Sequence, residues 1–177
     1  MVRMQRFTQM HLAETAQAEL DVVDELAKQL RQHLTACEEE LATAHVHGAS
    51  SHAIQSLVGS LLVDELGFES ELPLATEVGL SVRPRPDFIY RLATGRGVIA
   101  EVERGGTTTN NHDLKDMWKA HLSPDTHHLF LIVPMNNWKP DGSPREKVYP
   151  AVVRRIGAFF GDPRREIDVA SVHIFGY

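Results

Sequence analysis

With 177 residues, 42% hydrophobic and 24% charged, the chain is long enough for one hydrophobic core and an appended helix. No apolar run approaches the roughly 18 residues of a membrane span, and Met1-Val2-Arg3-Met4 does not open a signal peptide, so no membrane partner is expected. One cysteine, Cys37, excludes an intrachain disulfide and suits a reducing cytoplasm, while a net charge of −6 argues against a surface that is basic throughout.

From about Ala13 to Ala44 there is neither proline nor glycine, and the spacing predicts a long helix. A seven-residue repeat sets Ala13, Leu20, Ala27, Leu34 and Leu41 at one position and Ala16, Val23, Leu30, Cys37 and Ala44 at the other. Glu19, Asp24, Arg31, Glu38 and Glu40 flank this seam. Residues 1–47 are therefore expected to form a long N-terminal helix set off from residues 48–177. Two partners for the seam stay open: the protein's own domain, or a second copy, which would make the helix a dimerisation arm.

His45, His47 and His52 interrupt this helix, and without cysteines beside them they read as a polar loop rather than a zinc site. Ser50 or Ser51 is placed to cap a second helix over 52–66, with Ile54, Leu57, Val58, Leu61, Leu62 and Leu66 inward and Gly67 as its stop. Asp64 and Glu65 lie in its last turn. Phe68 to Leu74 reads as a first strand, confined by Pro73 to an edge.

Two alternating apolar runs, 87–93 and 98–104, flank the turn signal Thr94-Gly95-Arg96-Gly97 and predict an antiparallel hairpin. A turn centred near Gly95 and Arg96 sets Asp87 opposite Glu103 or Arg104. Alternation puts Phe88, Tyr90, Val98, Ala100 and Val102 on one face, and Asp87, Ile89, Ile99, Glu101 and Glu103 on the other. Three acids thus gather at one end of the hairpin, an arrangement suited to holding a divalent cation over a phosphodiester. Arginines cluster nearby in sequence, at Arg83, Arg85, Arg91 and Arg96, and again at Arg154, Arg155, Arg164 and Arg165.

A polar loop, 104–111, leads to a helix capped by Asn110 or Asn111 and running to about His121. Leu114, Met117, Trp118 and His121 share one of its faces and Lys115 and Lys119 another. The unbroken apolar run His128 to Pro134 reads as a central strand covered on both sides. After a loop from Met135 to about Glu146, Pro150 opens a helix with Val152, Val153, Ile156, Phe159 and Phe160 inward, and Ile167 to Phe175 forms a last strand. The order is α–α–β–β–β–α–β–α–β.

Pro86-Asp87, a hairpin turn and Glu101-Val102-Glu103 at the end of an apolar strand resemble the PD-(D/E)XK nuclease superfamily over roughly residues 50–135. The superfamily's third element is usually lysine. Here it is Glu103, as in the Glu-X-Glu variant of some restriction endonucleases. The resemblance implies an α/β, restriction-endonuclease-like fold, a mixed sheet flanked by helices, over residues 48–177. It implies a Mg²⁺- or Mn²⁺-dependent endodeoxyribonuclease acting on duplex DNA as a homodimer. By the same resemblance, Asp87, Glu101 and the carbonyl of Val102 hold the metal. Glu103 is a ligand of a second ion or the base, and Glu65 is a further acid from the first core helix. From the helix spacing, Lys115 is the candidate source of the cation missing from position 103, with a solvated helix face as the alternative. Two other readings stay open: an inactive nuclease-fold module that binds nucleic acid or serves as a scaffold, and a helical oligomerisation protein. No helix-turn-helix or zinc finger is visible to specify a target sequence.

Overall fold

The computed structural model describes residues 1–48, 51–74, 84–162, 164 and 167–177. In chain order the elements are β1 (Arg3–Thr8), α1 (Glu14–Ala36), α2 (Glu38–Ala44), α3 (Ser51–Leu62), β2 (Glu69–Ser70), β3 (Phe88–Arg91) and β4 (Gly97–Val102), followed by α4 (His112–Leu122), β5 (His128–Val133), β6 (Asn137–Trp138), β7 (Pro144–Glu146), α5 (Val148–Gly157) and β8 (Ser171–Gly176). Six strands form one mixed sheet in the order β1-β8-β5-β4-β3-β2, and β6 and β7 form a separate hairpin. β4, β5 and β8 run parallel, while β1 and the β2–β3 edge are antiparallel to their neighbours.

The central strands are buried along their whole length because helices cover both sides of the sheet. Phe88, Val98, Ala100, Val102, Phe130, Ile132 and Phe175 pack under α1, α2 and α3. Ile89, Ile99, Leu129, Leu131, Val172 and Ile174 pack under α4 and α5, against Met117, Val152 and Ile156. Each such side chain contributes about 1.5–3 kcal/mol when fully buried.

Of the two partners left open for the N-terminal seam, the chain's own domain takes it up. Val23, Ala27, Leu30 and Leu34 of α1 and Leu41 of α2 belong to the core beneath the sheet, and Leu20 is buried with them. Their heptad spacing serves a sheet rather than a partner helix. The helix also breaks at Cys37, whose φ of −93° and ψ of 15° separate α1 from α2. Residues 1–47 include a strand as well: β1 pairs with β8 from Arg3↔Gly176 to Thr8↔Ser171.

Other boundaries moved slightly. α3 ends at Leu62, four residues short of the expected 66, and Gly67 has the left-handed φ of 78° that suits the turn beyond it. α5 opens at Val148, and the last strand at Ser171. Ser50, the Ser51 side chain, Arg83 and Arg165 lie outside the described residues. No helix among the described residues is long and apolar enough to cross a membrane.

Candidate metal centre

The hairpin register decides which acids meet. Phe88 pairs with Ala100 and Arg91 with Gly97, two residues tighter than a pairing of Asp87 with Glu103 and three tighter than one with Arg104, because the reversal is made within 92–96. Relative to the Glu103 pairing the slip is even, which leaves every side chain on its expected face. It does change the partner of Asp87, which now neighbours Glu101. The Val102 N–H donates to Asp87 Oδ2 at 2.8 Å, and the Asp87 N–H donates to Glu101 Oε2 at 3.3 Å. Each carboxylate is thus aimed by the other strand's backbone.

α4 closes the group from the side. His112, Asp116 and Lys119 stand at i, i+4 and i+7 and so share one face of the helix. Lys119 Nζ lies 2.6 Å from Glu101 Oε1 and 3.2 Å from Asp116 Oδ1. His112 Nδ1 lies 2.9 Å from Glu103 Oε2, and Glu103 in its protonated form hydrogen-bonds Asp116. Glu101 and Asp116 therefore flank one ammonium, with Asp87 and Glu103 beside them. The Glu103 backbone is fixed too: its N–H donates to the Ile132 carbonyl at 2.8 Å, and its carbonyl accepts from Tyr177 Oη at 2.9 Å.

Burial drives the charge balance. Glu101 and Asp116 are 4% and 5% exposed. Loss of solvent, then the Asp116 charge and, more weakly, Asp87, raise the Glu101 pKa well above the usual carboxylate range against the pull of Lys119. Glu103 rises to about 8, from burial first and then from the charge and hydrogen bond of Asp116. Asp116 is raised by burial, with Lys119 opposing. Burial disfavours the Lys119 ammonium, yet Glu101 and Asp116 outweigh it and its pKa is raised. Even so, the site is short of positive charge, with four acids against one buried lysine. An under-neutralised set of hard oxygen donors fits a divalent cation.

Of the expected site residues, Asp87, Glu101, Val102 and Glu103 come together. Lys115 and Glu65 do not. Lys115 is exposed on α4, and Glu65 is exposed on the turn after α3. Sequence reasoning missed Asp116, Lys119 and His112 as site residues, although their spacing on one helix face was a readable signal. The arginines near the hairpin are also divided. Arg91 and Arg96 stand at the turn end, away from the acids, where Arg91 Nη1 pairs with Asp125 at 2.9 Å and Arg96 Nη2 lies 3.6 Å from Glu19. Arg155 turns inward: its guanidinium donates to the Thr108 carbonyl at 2.9 Å and to Asn111 Oδ1 at 2.6 Å, and lies 3.3 Å from the buried Asp113. It ties loop 104–111 to α4. Asn111 occupies the expected N-cap position but makes no side-chain cap, its oxygen being used by Arg155.

At the loop after β4, a cavity of about 170 Å³ is lined by His47, Arg104, Thr109 and Arg145, together with Glu146.

No family model matches the chain, and no curated protein matches it significantly. Among solved structures, it is similar to the crystal structure of restriction endonuclease BglII complexed with a DNA 16-mer, with a TM-score of 0.58 and 11% identity. The alignment covers 99% of this chain and 77% of that one. At this identity the likeness is one of fold: a restriction-endonuclease-like mixed sheet flanked by helices, with a long N-terminal helix.

Proposed function

We propose that this protein is a metal-dependent nuclease of the PD-(D/E)XK superfamily in its Glu-X-Glu form, hydrolysing phosphodiester bonds of duplex DNA. The observation that carries the reading is the cluster Asp87, Glu101, Glu103 and Asp116 at one end of a restriction-endonuclease-like sheet, with Asp87 and Glu101 aimed by backbone hydrogen bonds and the whole short of positive charge.

Asp87, Glu101 and the carbonyl of Val102 would hold Mg²⁺ or Mn²⁺, with Asp116 available to a second ion. A bound cation supplies a more acidic water and neutralises charge that develops on the phosphate. Lys119, rather than Lys115, provides the fixed positive charge that the commoner motif carries at position 103. Its contacts with Glu101 and Asp116 hold both carboxylates in place. Glu103 is the base: His112 orients its carboxylate, and a pKa near 8 keeps the proton-accepting form within reach at physiological pH. The proton of the attacking water passes to a Glu103 carboxylate oxygen. His47, Arg104 and Arg145, which line one cavity at the loop after β4, would supply contacts to backbone phosphates. Cutting both strands calls for a homodimer, which must use a surface other than the buried seam of α1.

One observation favours a second reading, an inactive nuclease-fold module that binds nucleic acid. Lys119 already neutralises part of the cluster, and Glu103 is largely protonated near pH 7 when no metal is bound. Plasmid cleavage in Mg²⁺ and Mn²⁺ separates the two. Nicking or linearisation by the wild type that disappears in Glu101→Ala supports the nuclease. Tight DNA binding with no cleavage in either metal supports the module.

A further inference from the structure

At the end of the sheet opposite the acids, α1 inserts a carboxylate between two adjacent imidazoles. Glu19 is 4% exposed, His127 6% and His128 0%. Successive strand residues face opposite sides, yet His127 and His128 both reach Glu19. His128 is the first residue of β5 and points toward α1. His127 precedes the strand, its backbone anchored by its N–H to the Gly97 carbonyl and by its own carbonyl to the Ala170 N–H, both at 2.8 Å. Off the pleat, its ring folds back over the same carboxylate, and the two rings meet edge to face with centroids 5.2 Å apart.

We propose that Glu19, His127 and His128 form a second metal site, selective for a transition ion of the Zn²⁺ type and separate from the acidic cluster. Two features carry this. First, the donor atoms converge: Glu19 Oε2 lies 3.1 Å from His127 Nδ1 and 3.2 Å from His128 Nε2, and one ligand atom from each residue falls within 4.8 Å of the others. Tetrahedral bonds of about 2.0–2.1 Å set ligand atoms about 3.3 Å apart, so the three donors need to shift little to enclose an ion. Second, the outer partners are those of a ligand set. Ser171 Oγ holds His128 Nδ1 at 2.8 Å, and the Thr94 hydroxyl donates to Glu19 Oε1, which leaves the remaining nitrogen and oxygen directed at the common point. The nitrogen donors favour zinc-like ions over Mg²⁺, which prefers oxygen. No fourth protein ligand completes the set among the described residues, which leaves one position for water.

One residue opposes loading. Arg96 Nη1 lies 3.4 Å from His127 Nε2, and Nη2 lies 3.6 Å from Glu19 Oε1. Coordination through Nδ1 leaves His127 Nε2 protonated, so the guanidinium must swing outward, which its one-third exposure permits. The cluster is therefore a metal site with a competing internal cation, and removing that cation should tighten binding.

The test is calorimetric titration of the full chain with Zn²⁺, paired with the visible absorption of added Co²⁺, in an Asp87→Asn background that weakens the acidic cluster. One Zn²⁺ per chain is expected there, weakened at least tenfold by His127→Gln or Glu19→Gln and tightened severalfold by Arg96→Ala. Circular dichroism checks that each variant is folded, and if Glu19→Gln is not, His127→Gln and Arg96→Ala decide the matter. Absence of micromolar Zn²⁺ binding in Asp87→Asn, binding unchanged by His127→Gln, or weaker binding in Arg96→Ala would overturn the proposal. Because the readout is binding and not cleavage, its failure leaves the nuclease reading intact.

Discussion

Lys119 Nζ lies 2.6 Å from Glu101 Oε1, and this contact across the α4–β4 interface supplies the acidic cluster with its internal cation. Lys115, one helical turn earlier, faces solvent. The two lysines therefore predict opposite outcomes. Lys119→Ala leaves Glu101 and Asp116 buried beside each other without compensation and should cost about 3 kcal/mol of unfolding stability in metal-free buffer at neutral pH. Lys115→Ala should change it by no more than about 0.5 kcal/mol. Urea denaturation of both variants checks the assignment, and equal losses would remove Lys119 from its role.

Asp87 and Glu101 are held by each other's strand backbones, so truncating one opens the site without disturbing the sheet. Titration of Mg²⁺ and Mn²⁺ into wild type and Asp87→Ala should show binding in the first and at least a tenfold loss in the second. Indistinguishable isotherms would count against this site.

The raised pKa of Glu103 gives a pH signature. Its folded value of about 8 exceeds the ordinary 4.5, so the native state keeps a proton that the unfolded chain has released. Stability of the metal-free protein should therefore fall as pH rises from about 4.5 to about 8, then flatten. His128 acts in the opposite direction at lower pH. Its folded value of about 4 lies below 6.5, so its contribution rises with pH between those values. Thermal melts of wild type and Glu103→Gln in chelator measure the Glu103 share: Glu103→Gln should decline less steeply toward pH 8, the raised Glu101 and Asp116 keeping part of the fall. Equal declines in the two proteins would place the titration elsewhere.

For cleavage, Glu103→Ala should reduce the rate by roughly 10²-fold or more, the scale of a lost general base. Glu103→Lys restores the commoner motif and should recover part of that loss, with Lys119 close by. Initial rates on supercoiled plasmid measure both. An unchanged rate in Glu103→Ala would reassign the base.

Leu30 is fully buried beneath the sheet. Leu30→Ala should cost about 2–5 kcal/mol in unfolding free energy and leave the oligomeric state unaltered in light scattering. A dimer that dissociates in Leu30→Ala while the fold keeps its stability would mean that the seam faces a second chain after all.

Much of this architecture follows from local pattern. The apolar run at His128–Val133 marked a strand covered on both sides, the alternation around Thr94–Gly97 marked the hairpin, and face parity put Asp87, Glu101 and Glu103 on one side whatever the even register. Period and turn chemistry are local quantities, so a single sequence carries them. Other features depended on what lies across space. The heptad of α1 is compatible with a partner helix or a sheet, and only packing against Phe130, Ile132 and Phe175 chose the sheet. β1 is short and half-polar because it is an edge, so nothing in Arg3–Thr8 announced a strand until β8 supplied its hydrogen bonds. The choice of Lys119 over Lys115 and the entry of Asp116 and His112 came from the rotation of α4 against β4. The meeting of Glu19 with His127 and His128 joins residues more than 100 positions apart. Charges acquire their chemistry from neighbours and burial, and for these residues only the folded chain supplies both.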